Sequence, residues 1–535
     1  MVTAAPSAST APPRVPPTRQ SAVFVAGGIL SSRLAGLVRL RIFAHYFGLQ
    51  SDAADAFMVA SRIPNALQNL FGEGALSGSF IPVYAALLAR HDEREATRVA
   101  GAVAAMLALV ASVVIVIGIL AAPILATVIA PGFTGAKRAL TIHIVRILFP
   151  GAGLLVMSAW CLGILNSHHR FLLSYMAPVV WNAAMITTLL LFGPHAALPH
   201  LAVLLAWGSI AGSALQFAVQ LPSVLRLVPH LRIVLDVADE QVRTVMRNFV
   251  PVFVSRGVVQ ISSYVDSLLA SLMPTGVVTG LASAQILYLL PISLFGMSVS
   301  AAELPALSGA VGLADTEVVR RRLDAGLRQI AFFVVPSVVA FAALGDVIAG
   351  ALLQTGRFTH ADAVYVWAIL AGASIGLLAS TLGRLYSSTY YALQDTRTPL
   401  RYAVLRVSLT TVLGYLCAIV LPPHIGVPAR WGVVGLTSTA GLSACVEYSL
   451  LRHTLNGRIG RTGLAPGYAL RLWAAAAAGA AVAWAIKLLL PFSQPIAVAI
   501  LTLGPYGLVF LGCTLLFRVP EAHGALRQLR ARVGL

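Results

Sequence analysis

The sequence predicts an all-α polytopic membrane protein of about fourteen transmembrane helices, arranged as two pseudo-symmetric six-helix lobes around a central cavity plus two C-terminal helices. Three observations lead there. Hydrophobic residues make up 58% of the 535 and charged residues only 10%, with a mean hydropathy of +0.85, beyond the usual balance of a soluble domain. Apolar stretches of roughly twenty residues, the length that crosses a bilayer, recur along the chain. The two halves also echo each other at a spacing of about 225 residues, as internal repeats of transporters do.

The first twenty residues, rich in Pro, Ala, Ser and Thr, would not pack and read as a disordered cytoplasmic tail, 1–20. A cleaved signal peptide is not expected, because the next apolar segment is long and lacks a short core with a small-residue cleavage site. Six apolar segments follow, near 22–48, 54–89, 97–130, 139–166, 172–193 and 199–225, and form an N-lobe over 21–228. Six more, near 243–274, 277–310, 322–354, 361–393, 399–421 and 431–452, form a C-lobe over 229–455. The last two, near 468–490 and 494–517, fill 456–517 and precede a cytoplasmic tail, 518–535.

The repeat rests on short matches in a common order. FGEGALSGSFIP, ending at Pro82, resembles FGMSVSAAELP, ending at Pro305; PGFTGA around Phe133 is echoed by TGRFTHA around Phe358; NSHHRF from Asn166 faces QDTRTP from Gln394; Arg33 falls opposite Arg256. An even number of spans per repeat gives both halves the same orientation, related by an axis along the membrane normal.

With the N-terminus inside, alternate loops collect Arg90, Arg94, Arg98, Arg170, Arg226, Arg232, Arg243, Arg320, Arg321 and Arg322, then Arg397, Arg401, Arg452, Arg458 and Arg461. The other loops hold only Lys137, Arg138, Arg357 and Arg430. That bias places both termini in the cytoplasm. The net charge of +18 is then spread over short cytoplasmic loops beside anionic lipid headgroups, and no nucleic-acid partner is needed to explain it. Cys161, Cys417, Cys445 and Cys513 lie in apolar spans without metal-ligand spacing, so no metal site and no cofactor are expected. No loop is long enough for a catalytic domain, and no phosphate-binding loop or His-Glu-x-x-His motif occurs. The chain does not read as an enzyme.

An ionisable side chain inside hydrocarbon is costly and should face protein or a wet cavity. The candidates are Arg33, Arg39, Arg41, Asp55, Arg62, Glu73, Arg146, Arg256, Asp266, Glu303, Arg384, Arg406 and Glu447. Arg33 lies near mid-depth of the first span, and Arg33 and Arg39 are about 120° apart on a helix, so both can border one wide cavity. Arg41 is close enough to the outer end to snorkel. Asp55 opens the second span at the outer side, within reach of an ion pair with Arg39. Pro64 and the run Gly72-Glu73-Gly74 suggest that this span is bent or locally unwound, with Glu73 a gating residue or a cap at the break. On the seventh span Arg256 and Asp266 supply the second lobe's charges, Asp266 as a cation site or as one half of an internal ion pair.

The run SRLAGLVR, with DAFMVASRIPN and FGEGALSGSFIPV after it, resembles the MurJ (MviN) family of lipid II flippases, in the multidrug/oligosaccharidyl-lipid/polysaccharide (MOP) exporter superfamily. The resemblance continues through PGF at 131–133, LASAQILYLLPISLFG, LLQTGRFTHADA and YYALQDTRTP. It implies lobes that alternate between inward-open and outward-open states and two final helices forming a groove for a polyprenyl tail. It also implies flipping of lipid II, an undecaprenyl-pyrophosphate-linked precursor, across the bacterial cytoplasmic (inner) membrane for cell-wall synthesis, with membrane lipids and the cell-wall synthesis machinery as further partners. By motif position Arg33, Arg39, Asp55 and Glu73 take functional cavity places, with Arg62 and Arg256 added as substrate-binding candidates. Arginines suit the pyrophosphate of such a substrate. The sequence departs from the family at Gln68 and Asn69, where an arginine pair is usual, and at Ala284-Gln285-Ile286-Leu287, where Ala-Asp-Arg-Leu is usual. Arg62 and Arg256 are expected to restore part of that charge. Two alternatives stay open at this point: a MOP-type exporter of another polyprenyl-linked saccharide or a drug, and a membrane-embedded glycosyltransferase using Asp52 or Asp55.

Overall fold

A computed structural model of the chain describes residues 19–71, 73–236, 239–300, 303, 307, 316–491 and 494–524. The first half forms α1 (Arg19–Phe47), α2 (Asp52–Phe71), α3 (Glu73–Ala89), α4 (Glu93–Ile129), α5 (Gly135–Ser167), α6 (Phe171–Phe192) and α7 (Leu198–Leu227). The second half forms α8 (Glu240–Ser271), α9 (Val277–Pro291), α10 (Thr316–Leu353), α11 (His360–Ser374), α12 (Leu377–Ala392), α13 (Arg397–Tyr415) and α14 (Gly432–Ile459). α15 (Pro466–Leu489) and α16 (Pro495–Leu516) close the chain. π turns carry α9 on through Ile292–Met297 and α13 through Leu416–Val420.

Local chemistry sets the helix ends. Asp92 caps α4 by accepting from the Glu95 N–H at 3.1 Å, and Thr359 and Asp362 form a reciprocal capping box on α11. Proline in the first turn opens α7, α15 and α16, where its missing N–H costs nothing. Gly460 at φ +88° ends α14. Inside α10 the backbone leaves helical geometry at Leu344. The carbonyls just before that kink are met by indole N–H groups, Ala342 by Trp367 at 3.0 Å and Ala343 by Trp484 at 2.8 Å, so the bend leaves no orphaned acceptor there.

Among the described residues nine helices are long and apolar enough to cross a membrane, and ten when the pair α11 and α12, bent by 44°, counts as one. The expected fourteen is therefore not reached on that criterion. Charged and polar side chains on α1, α2, α8 and α14 dilute their hydropathy. The apolar stretch of α5 is 83% buried and that of α4 only 28%, so α5 is a central post and α4 faces outward. Along α4, Val116, Ile117, Leu120, Ile124 and Val128 stand exposed, a continuous apolar stripe that only lipid solvates well.

The packing of the two halves is alike. α5 packs on α2, α4 and α7, and α6 on α1 and α7. In the second half α11 and α12 take the place of α5, packing between them on α9, α10 and α14, while α13 packs on α8 and α14 as α6 does on α1 and α7. α15 and α16 pair with each other and lean on α10, held there by the ion pair of Lys487 with the nearly buried Asp346.

Candidate substrate cavity and its closed end

At one end of the bundle the two halves meet through Asp55. Its side chain is fully buried, which a carboxylate tolerates only when its lone pairs are satisfied. One oxygen accepts from the Lys137 ammonium at 2.7 Å and the Gly276 N–H at 2.9 Å. The other accepts from the Thr279 N–H at 3.0 Å and its hydroxyl at 2.6 Å. α9 has no side-chain cap of its own, and Gly276 turns into it at φ +91°, a conformation that favours glycine. Asp55 on α2 thus caps a helix of the other half, where free N–H groups and the helix dipole both attract an anion. One turn earlier Asp52 accepts from the Thr275 hydroxyl at 2.7 Å and pairs with Lys137 at 3.0 Å. These contacts, the Thr275 hydroxyl first, hold Asp52 below the usual carboxylate range.

The expected Asp55–Arg39 ion pair is not made. Lys137, in the first turn of α5 just after PGF, reaches Asp55 instead, while Arg39 turns toward α6, its guanidinium 4.8 Å from the Trp181 ring centre and 3.6 Å from the Met185 sulfur. A cation over an indole face is stabilised without a carboxylate.

Around this latch the echoed loops exchange places. The loop of the second half holding Arg357 docks on the end of α1: the Arg357 N–H donates to the His45 carbonyl and the His45 ring meets the Thr355 hydroxyl, both at 2.9 Å. Arg41, rather than reaching outward, donates to the Ala351 carbonyl in the last turn of α10, where orphaned acceptors draw a cation. The loop of the first half holding Phe133 docks in turn on the end of α8, with the Gly132 N–H 3.4 Å from the Ser271 hydroxyl.

Behind the latch lies a cavity of about 260 Å³ bordered by Arg39, Ser61, Arg62, Asn65, Trp181 and Gln285. Arg62 donates to Gln285 Oε1 at 3.0 Å, and its carbonyl accepts from the Tyr264 hydroxyl at 3.1 Å. Arg39 is half-buried, and its buried Nε has no hydrogen-bond partner among the described residues. On the far side of Gln285 is a second cavity of about 180 Å³, bordered by Asp266, Tyr288, Ser380 and Arg406. Arg406 pairs with Glu447 at 3.1 Å.

The sequence candidates divide accordingly. Arg39 and Arg62 share the first cavity, Asp266 borders the second, and Asp55 forms the latch. Arg33 stands exposed on α1 and borders neither cavity. The side chains of Glu73 and Arg256 lie outside the described residues. Ile286 borders the first cavity, so the arginine missing from that motif leaves an apolar wall there. Sequence reasoning named Lys137 as a loop cation, Gln285 as a departure from the family motif and Arg406 as a charge within a span, but gave none of them a place in the site. Lys137 is one of only two lysines in the chain, a signal that could have marked it, whereas Gln285 carries no charge to draw attention.

A family model described as lipid II flippase MurJ matches residues 43–509. Lipid II flippase MurJ of Burkholderia cenocepacia is 32% identical over 433 residues, 80% of this chain and 81% of that protein. In fold, the chain is similar to a solved structure of lipid II flippase MurJ in an inward closed conformation, at a TM-score of 0.75 and 21% identity over 93% of this chain and 99% of that one. An inward-facing MATE family transporter of the MOP superfamily follows at 0.65 and 17% identity, covering 82% of this chain and 98% of that one. A match over most of the chain, joined to a buried arginine cavity closed at one end, places this multi-pass membrane protein in the MurJ lipid II flippase family.

Proposed function

We propose that the chain flips lipid II from the cytoplasmic to the periplasmic leaflet of the inner membrane by alternating access of an N-lobe, 21–228, and a C-lobe, 229–455, with 456–517 carrying the polyprenyl tail. The observation that carries this reading is Arg39, a half-buried arginine that borders a cavity and whose buried Nε has no hydrogen-bond partner among the described residues. Water-excluded guanidinium groups bind phosphate oxygens through charge-assisted, often bidentate hydrogen bonds. Arg62 adds a second cation, and Ser61 and Asn65 offer neutral partners for a sugar-peptide headgroup. Arg33, Glu73 and Arg256 belong to the same path in this proposal.

The arginine-rich loops face the cytoplasm, and both termini with them. The Asp55 end is then periplasmic, and Asp55 acts as a gate: its bonds to α9 must break before the cavity opens outward. Asp266, facing the charges of Arg62 and Arg406, serves as an internal ion-pair partner. The substrate leaves chemically unchanged, so the role asked of these side chains is binding and gating.

The test is replacement. In a bacterium depleted of its own lipid II flippase, this chain should restore growth and the appearance of lipid II in the outer leaflet. Absence of both, with the protein present in the membrane, would overturn the reading.

A further inference from the structure

Where α5 ends at Ser167, α6 begins at Phe171 and α7 ends at Leu227, the three helix ends enclose a cavity of about 460 Å³ that shares no residue with the two central ones. Its lining is of two kinds. His169, Arg170 and Arg226 bring basic groups, with the Ser223 hydroxyl between them, and apolar side chains including Phe171 and Leu172 form the rest. No carboxylate borders it.

Several other arginines at the same end of the bundle are neutralised by carboxylates. Arg98 sits against Asp236 and Asp239, Arg321 against Glu317 and Arg458 against Asp395. Among the described residues no ion pair reaches Arg170 or Arg226. The first turn of α6 borders the same space without a side-chain cap, adding N–H groups and the positive end of a helix dipole. On the outer surface beside it, Leu172 and Leu225 are each about half exposed, an apolar flank to the basic cluster.

We propose that this pocket holds the headgroup of an anionic membrane phospholipid, its phosphodiester against Arg170 and Arg226 and its acyl chains along Leu172 and Leu225. Concentrated positive charge between helix ends on the cytoplasmic side selects anionic over zwitterionic headgroups. The apolar flank selects a lipid over a free phosphate, which has nothing to place against Leu172. The site is independent of the flipping cavity, so a lipid bound there steadies the ends of α5, α6 and α7 without entering the transport path.

The experiment uses the full chain in a mild non-ionic detergent, titrated with phosphatidylglycerol or phosphatidylcholine, with bound lipid counted by native mass spectrometry. The double variant Arg170→Gln, Arg226→Gln should bind phosphatidylglycerol roughly thirtyfold more weakly, and Arg226→Gln alone roughly fivefold, from the usual attraction per surface arginine. The variant Arg397→Gln, Arg401→Gln removes equal charge elsewhere at the same end and should bind like the parent. The single variant decides the matter if the double one does not fold. Parent-like binding by the Arg226 variant, equal loss in the control pair, or equal uptake of phosphatidylcholine by the parent would each overturn the proposal. Displacement of phosphatidylglycerol by millimolar inorganic phosphate would overturn it in favour of a free-anion site, whereas resistance to phosphate together with weakened binding in Leu172→Gln supports the lipid.

Discussion

Arg62 on α2 donates to Gln285 on α9 at 3.0 Å, and the two residues stand 223 positions apart. Asp52 and Thr275 meet at the same spacing of 223, and Asp55 and Thr279 at 224. These separations match the echo between the halves to within a few residues. A residue that touches its own counterpart in another repeat lies on the axis relating the two. α2 and α9 therefore run along the pseudo-twofold axis, and each bond between them bridges the halves. The chemistry across the axis is unequal: the first half supplies two acids and an arginine, the second two hydroxyls, N–H groups and an amide. A charge meeting a neutral partner suits the proposed gate, as a bond strong enough to close it and weak enough to reopen.

Asp55 tests the gate. Asp55→Asn keeps the shape but removes the charge that Lys137 and the α9 N-terminus share. We expect the Asp55 end to open more often, read as at least tenfold faster labelling of a cysteine placed at Ala53 by a membrane-impermeant thiol reagent, with flipping reduced because closure is impaired. Unchanged labelling would remove Asp55 from the gate.

Locking the same end should stop transport. His45 and Thr355 touch across the halves, so cysteines at both positions, joined by a short bifunctional thiol reagent, hold the docked loop on α1. Flipping should fall to background after cross-linking and remain near normal in the untreated protein. Cross-linked protein that still flips would show that this end need not part.

The cavity arginine makes a sharper prediction. Arg39→Ala removes a charged hydrogen-bond donor, an interaction of about 1.5–3 kcal/mol, so apparent affinity for lipid II should fall roughly ten- to hundredfold. Arg39→Lys keeps the charge but loses the planar fork and should recover only part. Equal activity of all three forms would displace Arg39 from the substrate path.

How far these features were legible in the sequence depends on range. Each apolar segment that falls within the described residues became a helix or a broken pair, because the cost of exposing backbone to lipid is local and shows in composition. The need of Asp55 for a partner was equally legible, since a carboxylate in a span must be satisfied. Which partner was not: Lys137 lies 82 residues away and Thr279 lies 224 away, and nothing near Asp55 names either. The kink at Leu344 was hidden too. Pro336, the residue that sequence rules would have chosen, lies in regular helix two turns earlier, and the bend sits where two tryptophans from other helices donate to the loosened carbonyls. Gln285 stood out only as a departure from the family motif, and its role as partner of Arg62 was missed because an amide carries no cost that hydropathy registers, although its place opposite Arg62 follows from the repeat once the offset is taken as a contact map.

The Asp395 loop, which echoes a loop of the first half, offers a pH test. Asp395 caps α13, accepting from the Arg397 and Thr398 N–H groups at 3.1 and 3.0 Å and from the Thr398 hydroxyl at 2.7 Å, and it pairs with Arg458 at 2.8 Å. The Thr398 bonds first, then Arg458, hold its carboxyl down to about 2. A depressed acid stabilises the fold above its ordinary value and loses that contribution as pH falls through the depressed one. Asp395→Asn should therefore lower thermal stability at neutral pH by about 0.3–1 kcal/mol, the usual worth of a negative charge at a helix N-terminus, since asparagine keeps the cap itself. The difference from the parent should shrink once pH drops below about 4 and vanish near 2, measured by thermal unfolding in detergent across that range. A difference that stayed constant down to the lowest pH would show that the cap acts through its shape and neutral hydrogen bonds, with its charge contributing nothing.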